Sequence, residues 1–302
     1  MNLKQLLIKN NTAQKRNFII YGIGQTFNLI SPLIIAPYVI LKSGEEGFGK
    51  VGLGFALALF LILIVDYSFD IKGTKEVSEN RYDKKELERI LNLALFTKLV
   101  LFIISIIIAI IIIYSLPFFY QERKLYFFSL IIVLSQVFNP VWFLQGIENF
   151  KAISIINIFS KTTYVILVYC IIKKQEEYIW VNFLLGCSTL FFNFLGLCFL
   201  IFKMKLNIEA PQKATIVDIL KKDFSFCISQ LTLSVRQLSP LFLTGYILGF
   251  NVAGQYKLVE QFITLFRTLI QVLLKFFYPT VCYKLITNIK VGYFYWKKTA
   301  IA

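Results

Sequence analysis

The sequence predicts an all-α polytopic membrane protein with about eight transmembrane helices. Three observations carry that expectation: long apolar runs, a low content of charge, and basic residues gathered on alternate connections. Hydrophobic residues make up 57% of the chain and charged residues 16%, where a soluble domain carries roughly a quarter charged residues. A bilayer-spanning helix needs about 20 predominantly apolar residues. Eight runs meet that length: 17–41, 48–69, 91–116, 125–145, 152–172, 179–202, 224–248 and 257–281.

The first run follows a polar segment of sixteen residues and lacks an A-x-A exit. It therefore reads as a helix retained in the mature protein rather than a cleaved signal. The odd-numbered ends of the runs carry most of the positive charge. The N-terminus, the 70–90 loop, Lys151, the 203–223 loop and the tail together hold 20 Lys and Arg, against 7 on the alternate connections. By the positive-inside rule both termini and the long loops are expected in the cytoplasm. The net charge of +15 mostly reflects this asymmetry. Nothing resembles a folded nucleic-acid-binding domain, so no nucleic acid partner is expected.

Several runs carry polar stripes. Helix 1 has Asn17, Tyr21, Gly24, Asn28 and Ser31, and helix 7 has Ser225, Ser229, Thr232, Arg236 and Ser239, each at 4, 3, 4, 3 spacing. Helix 8 repeats the pattern with Glu260, Thr264, Arg267 and Gln271; helix 5 has Ser154, Asn157 and Lys161. Residues three and four apart share one helical face. Lipid disfavours such faces, so they are expected to face the bundle or a watery cavity, or to hydrogen-bond neighbouring helices.

Helices 1 and 7 also look alike. Ser31-Pro32-Leu33 aligns with Ser239-Pro240-Leu241 and Tyr38 with Tyr246; after one dropped residue Gly47 aligns with Gly254 and Lys50 with Lys257. The repeat is parallel. It predicts an N-terminal transmembrane lobe of six helices over 1–210 and the start of a second lobe, helices 7 and 8, over 211–302. Each lobe would open on a proline-broken helix, a plan used by secondary transporters.

Five basic residues fall inside the spans. Lys98 and Lys275 lie near the cytoplasmic edge and are expected to snorkel to it. Lys161, Arg236 and Arg267 sit near mid-span, where a cation costs at least about 2.5–3.5 kcal/mol and its retention points to a use. Asp66, the main buried acid, is a candidate counter-ion or ion-coupling group. Such a cationic interior suits an anionic passenger with a phosphate-type head group. The candidate substrate-binding residues are thus Lys161, Arg236, Arg267, Asn28 and Asn157.

Histidine is absent. That excludes a Ser-His-Asp triad, a histidine metal site and an imidazole relay. The five cysteines show no CxxC spacing and read as packing residues. Neither a catalytic residue nor a metal or cofactor is expected. The Glu45-Glu46 pair would serve a membrane glycosyltransferase, yet its loop is too short to hold a glycan acceptor.

Two stretches are more specific. "VDYSFDIKGTKEVSENR" (65–81) and "NPVWFLQGIENFKAISIINIFSK" (139–161) resemble the polysaccharide biosynthesis proteins that include the O-antigen flippases. The resemblance implies the fold of the multidrug/oligosaccharidyl-lipid/polysaccharide exporter superfamily, with two six-helix lobes around a central cavity. It implies a substrate too: an O-antigen or capsule repeat unit on undecaprenyl pyrophosphate, turned between leaflets by alternating access. Membrane lipids, a polysaccharide polymerase and a chain-length regulator follow as partners. Family members have twelve helices or more, so the chain is expected to be C-terminally truncated. A non-transporting remnant or scaffold, and a small-molecule exporter of the same superfamily, are the competing readings.

Overall fold

The computed structural model describes residues 3–287 together with 292, 293 and 296. Among the described residues the regular structure is helical. Helix α1 (Leu3–Asp66) is followed by a π-helical turn (Phe69–Gly73), α2 (Thr74–Glu79), α3 (Lys84–Ser115) and α4 (Pro117–Tyr120). Then come α5 (Arg123–Val137), α6 (Val141–Gly146), α7 (Phe150–Ile171), a 3₁₀ turn (Gln175–Ile179), α8 (Trp180–Met204), α9 (Lys213–Leu248) and α10 (Phe250–Thr287).

Six of these stretches are long and apolar enough to cross a membrane: Arg16–Asp66, Lys84–Ser115, Arg123–Gly146, Phe150–Ile171, Gln175–Met204 and Phe250–Ile286. The first accounts for two predicted spans, because α1 reverses at Gly44, whose φ of 73° and ψ of 173° interrupt the helix. That conformation is open to glycine and costly for a residue with a Cβ. Ile20 contacts the start of α7 while Tyr38 contacts its end, whereas Lys50 meets Glu122 and Asp66 meets Gln136. The two arms of α1 therefore run antiparallel. α9 is long enough to span but falls outside the six, since its polar stripe lowers its hydropathy.

The expected proline breaks are not where the chain bends. Pro32, Pro37 and Pro240 lie inside continuous helix, and the interruptions fall at Gly44 and at Gly249 (φ 89°, ψ 171°). A proline in a transmembrane helix leaves one carbonyl unpaired, which a neighbouring hydroxyl often tolerates or answers. Pro140 does act as a break: α5 stops at Val137, and the Asn139 carboxamide oxygen accepts from the Val141 amide at 3.0 Å as α6 starts. The tight turn expected in "QGIENFK" is present, with Glu148 at φ 58° and Asn149 capping α7 by accepting from Ala152 N at 3.3 Å.

The core lies between the arms of α1 and helices α3, α5, α7 and α8, and includes Val39, Leu53, Leu61, Leu125, Val133 and Val168. Val100, Ile103, Ile104, Ile107 and Ile111 are exposed on one face of α3, a stripe that lipid would cover. The second arm of α1 and α10 cross by reciprocal contact. A Cβ on Gly49 would strike the Phe250 carbonyl, and one on Gly254 would strike the Glu45 carbonyl. Gly49 is thus the positional counterpart of Gly254, two residues beyond the Gly47 of the sequence alignment.

Polar contacts fasten α9 and α10 to the first six predicted spans at the loop end. Asp223 accepts from Ser68 Oγ at 2.5 Å and pairs with Lys72 at 2.6 Å, while Lys275 pairs with Asp70 at 3.1 Å. Gln145 donates to the Lys275 carbonyl at 2.6 Å, and Glu148 joins Arg81 (3.2 Å) to Thr280 (2.8 Å).

Candidate functional site

The polar stripes of α1 and α10 converge on a cavity of about 480 Å³. The first arm of α1 contributes Asn28 and Ser31, α7 contributes Lys161 and Tyr164, and α8 contributes Asn182. From α10 come Lys257, Glu260, Thr264, Arg267 and Gln271, and from α9 Gln237. All four members of the predicted α10 stripe line this space, because 3, 4 spacing holds them on one face of a continuous helix.

Its charge is unbalanced. Lys257 reaches Glu260 at 2.7 Å and lies 5.5 Å from the Phe55 ring. Gly52 makes room for that lysine, since a Cβ there would sit 3.0 Å from Lys257 Cγ. Lys161 and Arg267 have neither an ion pair nor a hydrogen bond among the described residues. Three cations and one carboxylate therefore leave an excess of two positive charges. Asn28 donates to Gln25 Oε1 at 3.1 Å, and Asn182 donates to the Val51 carbonyl at 3.0 Å and to Ser129 Oγ at 2.9 Å.

The structure brings together Lys161, Arg267 and Asn28, but not the other candidates. Arg236 is exposed outside the cavity lining; its neighbour Gln237 lines the cavity instead. Of the predicted α9 stripe, Ser225, Ser229, Thr232 and Arg236 are exposed and Ser239 is half-buried, while Asp223, Cys227, Leu238 and Leu241 are buried. Asn157 also lies outside the lining, and Ser154 on the same stripe donates to the Ile20 carbonyl at 2.7 Å. Periodicity identifies a face but not which neighbour that face meets.

Asp66 stands apart from the cavity. It accepts from Lys98 Nζ at 2.7 Å and from Gln136 Nε2 at 2.6 Å. Lys98 does not snorkel: it is 1% exposed and lies 5.7 Å from the Trp142 ring. Lys275, by contrast, is about half exposed and reaches Asp70 in the loop at 3.1 Å. Outside the spans, the Lys275 charge draws the Asp70 carboxyl below the usual carboxylate range. Burial pushes the Glu76 carboxyl upward. All five cysteines are free, with Cys227 and Cys282 buried.

Sequence reasoning missed Lys257, which it assigned to an outer connection. α10 starts at Phe250, so Lys257 falls two turns inside the helix, and its i, i+3 spacing to Glu260 was the available signal. Gln237, Gln261 and Asn182 carried no local signal.

The family model for the polysaccharide biosynthesis protein matches residues 15–282. A relative from Escherichia coli (strain K12), named "Putative O-antigen transporter", is 21% identical over 295 residues, covering 96% of this chain and 70% of the relative. A protein of the same name from Shigella dysenteriae is 23% identical over 256 residues, covering 82% and 63%. A solved structure called "protein A" superposes with a TM-score of 0.72 at 13% identity, over 90% of this chain and 65% of that one. The chain thus spans about two thirds of each protein it matches, and the structural likeness supports the shared fold. With a family match over most of its length and a multi-pass helical fold to go with it, the chain belongs to the polysaccharide biosynthesis protein family.

Proposed function

We propose that this chain is the membrane-embedded carrier of an anionic, lipid-linked oligosaccharide, moving an O-antigen or capsule repeat unit on undecaprenyl pyrophosphate across the inner membrane. The observation that carries the reading is the pair Lys161 and Arg267, two cations without carboxylate partners among the described residues, on one mid-bundle cavity. Placing such groups in a bilayer is expensive, and a pyrophosphate would neutralise both. Arg267 offers the planar fork suited to phosphate oxygens, and Lys161 a point charge. Asn28, Gln237 and Gln271 add amides able to exchange hydrogen bonds with sugar hydroxyls. The names of the two bacterial relatives support transport of O-antigen as the class of activity.

In this reading the helices of 1–210 form one lobe and α9 and α10 begin the second, and access alternates as the lobes rock. Both termini lie in the cytoplasm, on the side of the basic loops. No bond is made or broken, so no catalytic residue or cofactor is invoked; the polymerase and chain-length regulator act on the delivered unit. A small-cation exporter would need a free acid in the cavity, whereas Glu260 is engaged by Lys257 at 2.7 Å.

The test is transport in proteoliposomes loaded with undecaprenyl-pyrophosphate-linked glycan. Lys161→Ala and Arg267→Ala are expected to abolish movement while the protein remains folded and inserted. Undiminished movement in both variants would overturn the proposal.

A further inference from the structure

The first arm of α1 and helix α7 lie side by side and touch at two levels. Towards the loop end, Gly24 packs on Ser154 so closely that a Cβ would come within 2.6 Å of Ser154 Cα. Towards the other end, Tyr38 donates to the Ile172 carbonyl at 2.7 Å and its ring lies 4.2 Å from that of Tyr169. Between these contacts the helices part around a groove of about 260 Å³. Phe27, Ile30 and Ile34 line it from α1, at helical spacing, and Val165 and Ile166 from α7. Several of these side chains, Ile30, Ile34 and Ile166 among them, are exposed on the outer surface.

Two residues belong to both the groove and the central cavity: Ser31 and Lys161. Ser31 is 4% exposed and its hydroxyl has no hydrogen-bond partner. Lys161 makes no ion pair among the described residues. The boundary between a polar, positively charged interior and an outward-facing apolar groove therefore holds an unused hydroxyl and an unused cation. A buried polar atom left without a partner costs free energy that a ligand would recover.

We propose that this gap is a lateral portal for a polyprenyl diphosphate. The diphosphate sits at Lys161 and Ser31, the first isoprene units lie in the groove between α1 and α7, and the glycan occupies the cavity. The inference rests on the anionic-cargo reading above and adds the path of the lipid tail. Chemistry selects the occupant. An apolar cavity of about 150 Å³ already accommodates benzene, so the groove holds a larger branched segment of a single chain. A diacyl phospholipid brings two chains and a single phosphodiester charge, which match one narrow groove and an unpaired lysine less well.

Binding to the purified protein tests this with three probes: undecaprenyl diphosphate, methyl diphosphate, and phosphatidylglycerol as competitor. The intact protein is expected to bind undecaprenyl diphosphate at least tenfold more tightly than methyl diphosphate. Val165→Trp fills the groove and should weaken undecaprenyl diphosphate about tenfold without altering methyl diphosphate. Ile34→Trp does the same from the opposite wall and guards against misfolding of the first variant. Lys161→Ala should weaken both diphosphates. If both tryptophan variants keep full affinity for undecaprenyl diphosphate, or phosphatidylglycerol competes equally well, the portal is refuted and the cargo reading survives. If neither diphosphate binds the intact protein, the cargo reading falls with it.

Discussion

Replacing Asp66 by asparagine isolates the one ion pair buried inside the first six predicted spans. Lys98 Nζ lies 2.7 Å from the Asp66 carboxylate, with the lysine side chain 1% and the aspartate side chain 17% exposed. At that separation the attraction is about 6 kcal/mol with an effective dielectric of about 20. Desolvation of both groups offsets much of it, so the pair itself contributes little net stability. Removing one partner is different, because the other charge stays buried; that costs about 3–5 kcal/mol. Asp66 keeps some access to water, so Asp66→Asn should fall near 3 kcal/mol. Adding Lys98→Met removes the stranded charge and should restore at least half of the loss. Reversible unfolding of the purified protein in mixed micelles reads both values. A single variant as stable as the parent, or a double variant in which the two losses simply add, would refute the reasoning.

Other outcomes follow from the same structure. Gly49→Ala should cost about 1–3 kcal/mol, because its Cβ meets the Phe250 carbonyl where α1 and α10 cross. Gly22→Ala, with nothing within 4 Å of its Cβ, should be neutral or slightly stabilising; equal losses in micelle unfolding would contradict the crossing. The depressed Asp70 carboxyl contributes stability that is complete above the ordinary carboxylate range and fades as pH falls through the lowered value. Asp70→Asn should therefore flatten the acid side of the unfolding-midpoint profile below about pH 4, and an unchanged slope would remove Lys275–Asp70 from the account. Asn182→Leu, which removes the amide that donates to the Val51 carbonyl and to Ser129 Oγ while both keep other partners within their helices, should lower stability by about 0.5–1.5 kcal/mol in the same assay.

Much of this fold was legible because membrane insertion is read along the chain. Apolar length and the stripe Glu260, Thr264, Arg267, Gln271 are local properties, and the folded protein carries long apolar helices and brings all four stripe residues to the cavity. Less legible were the bends. Prolines drew attention at Pro32 and Pro240, yet the helices pass through them and reverse at Gly44 and Gly249, where only the backbone conformation reveals the role. The extent of α9 was also underestimated, since its first eleven residues are too polar to register as a span but continue the helix from Lys213.

By itself, then, the sequence determined the class of the molecule, its span order, the charge bias between alternate connections and the presence of cations that lipid would reject. Tertiary structure decided which cations are free. Lys98 and Lys275 found Asp66 and Asp70, Lys257 found Glu260, Arg236 lies outside the cavity lining, and Lys161 and Arg267 have no ion pair among the described residues. The physical reason is the phase of each helix. One residue turns a side chain by about 100°, and the rotation that separates Arg236 from Gln237 is set by packing against helices more than a hundred residues away in the chain.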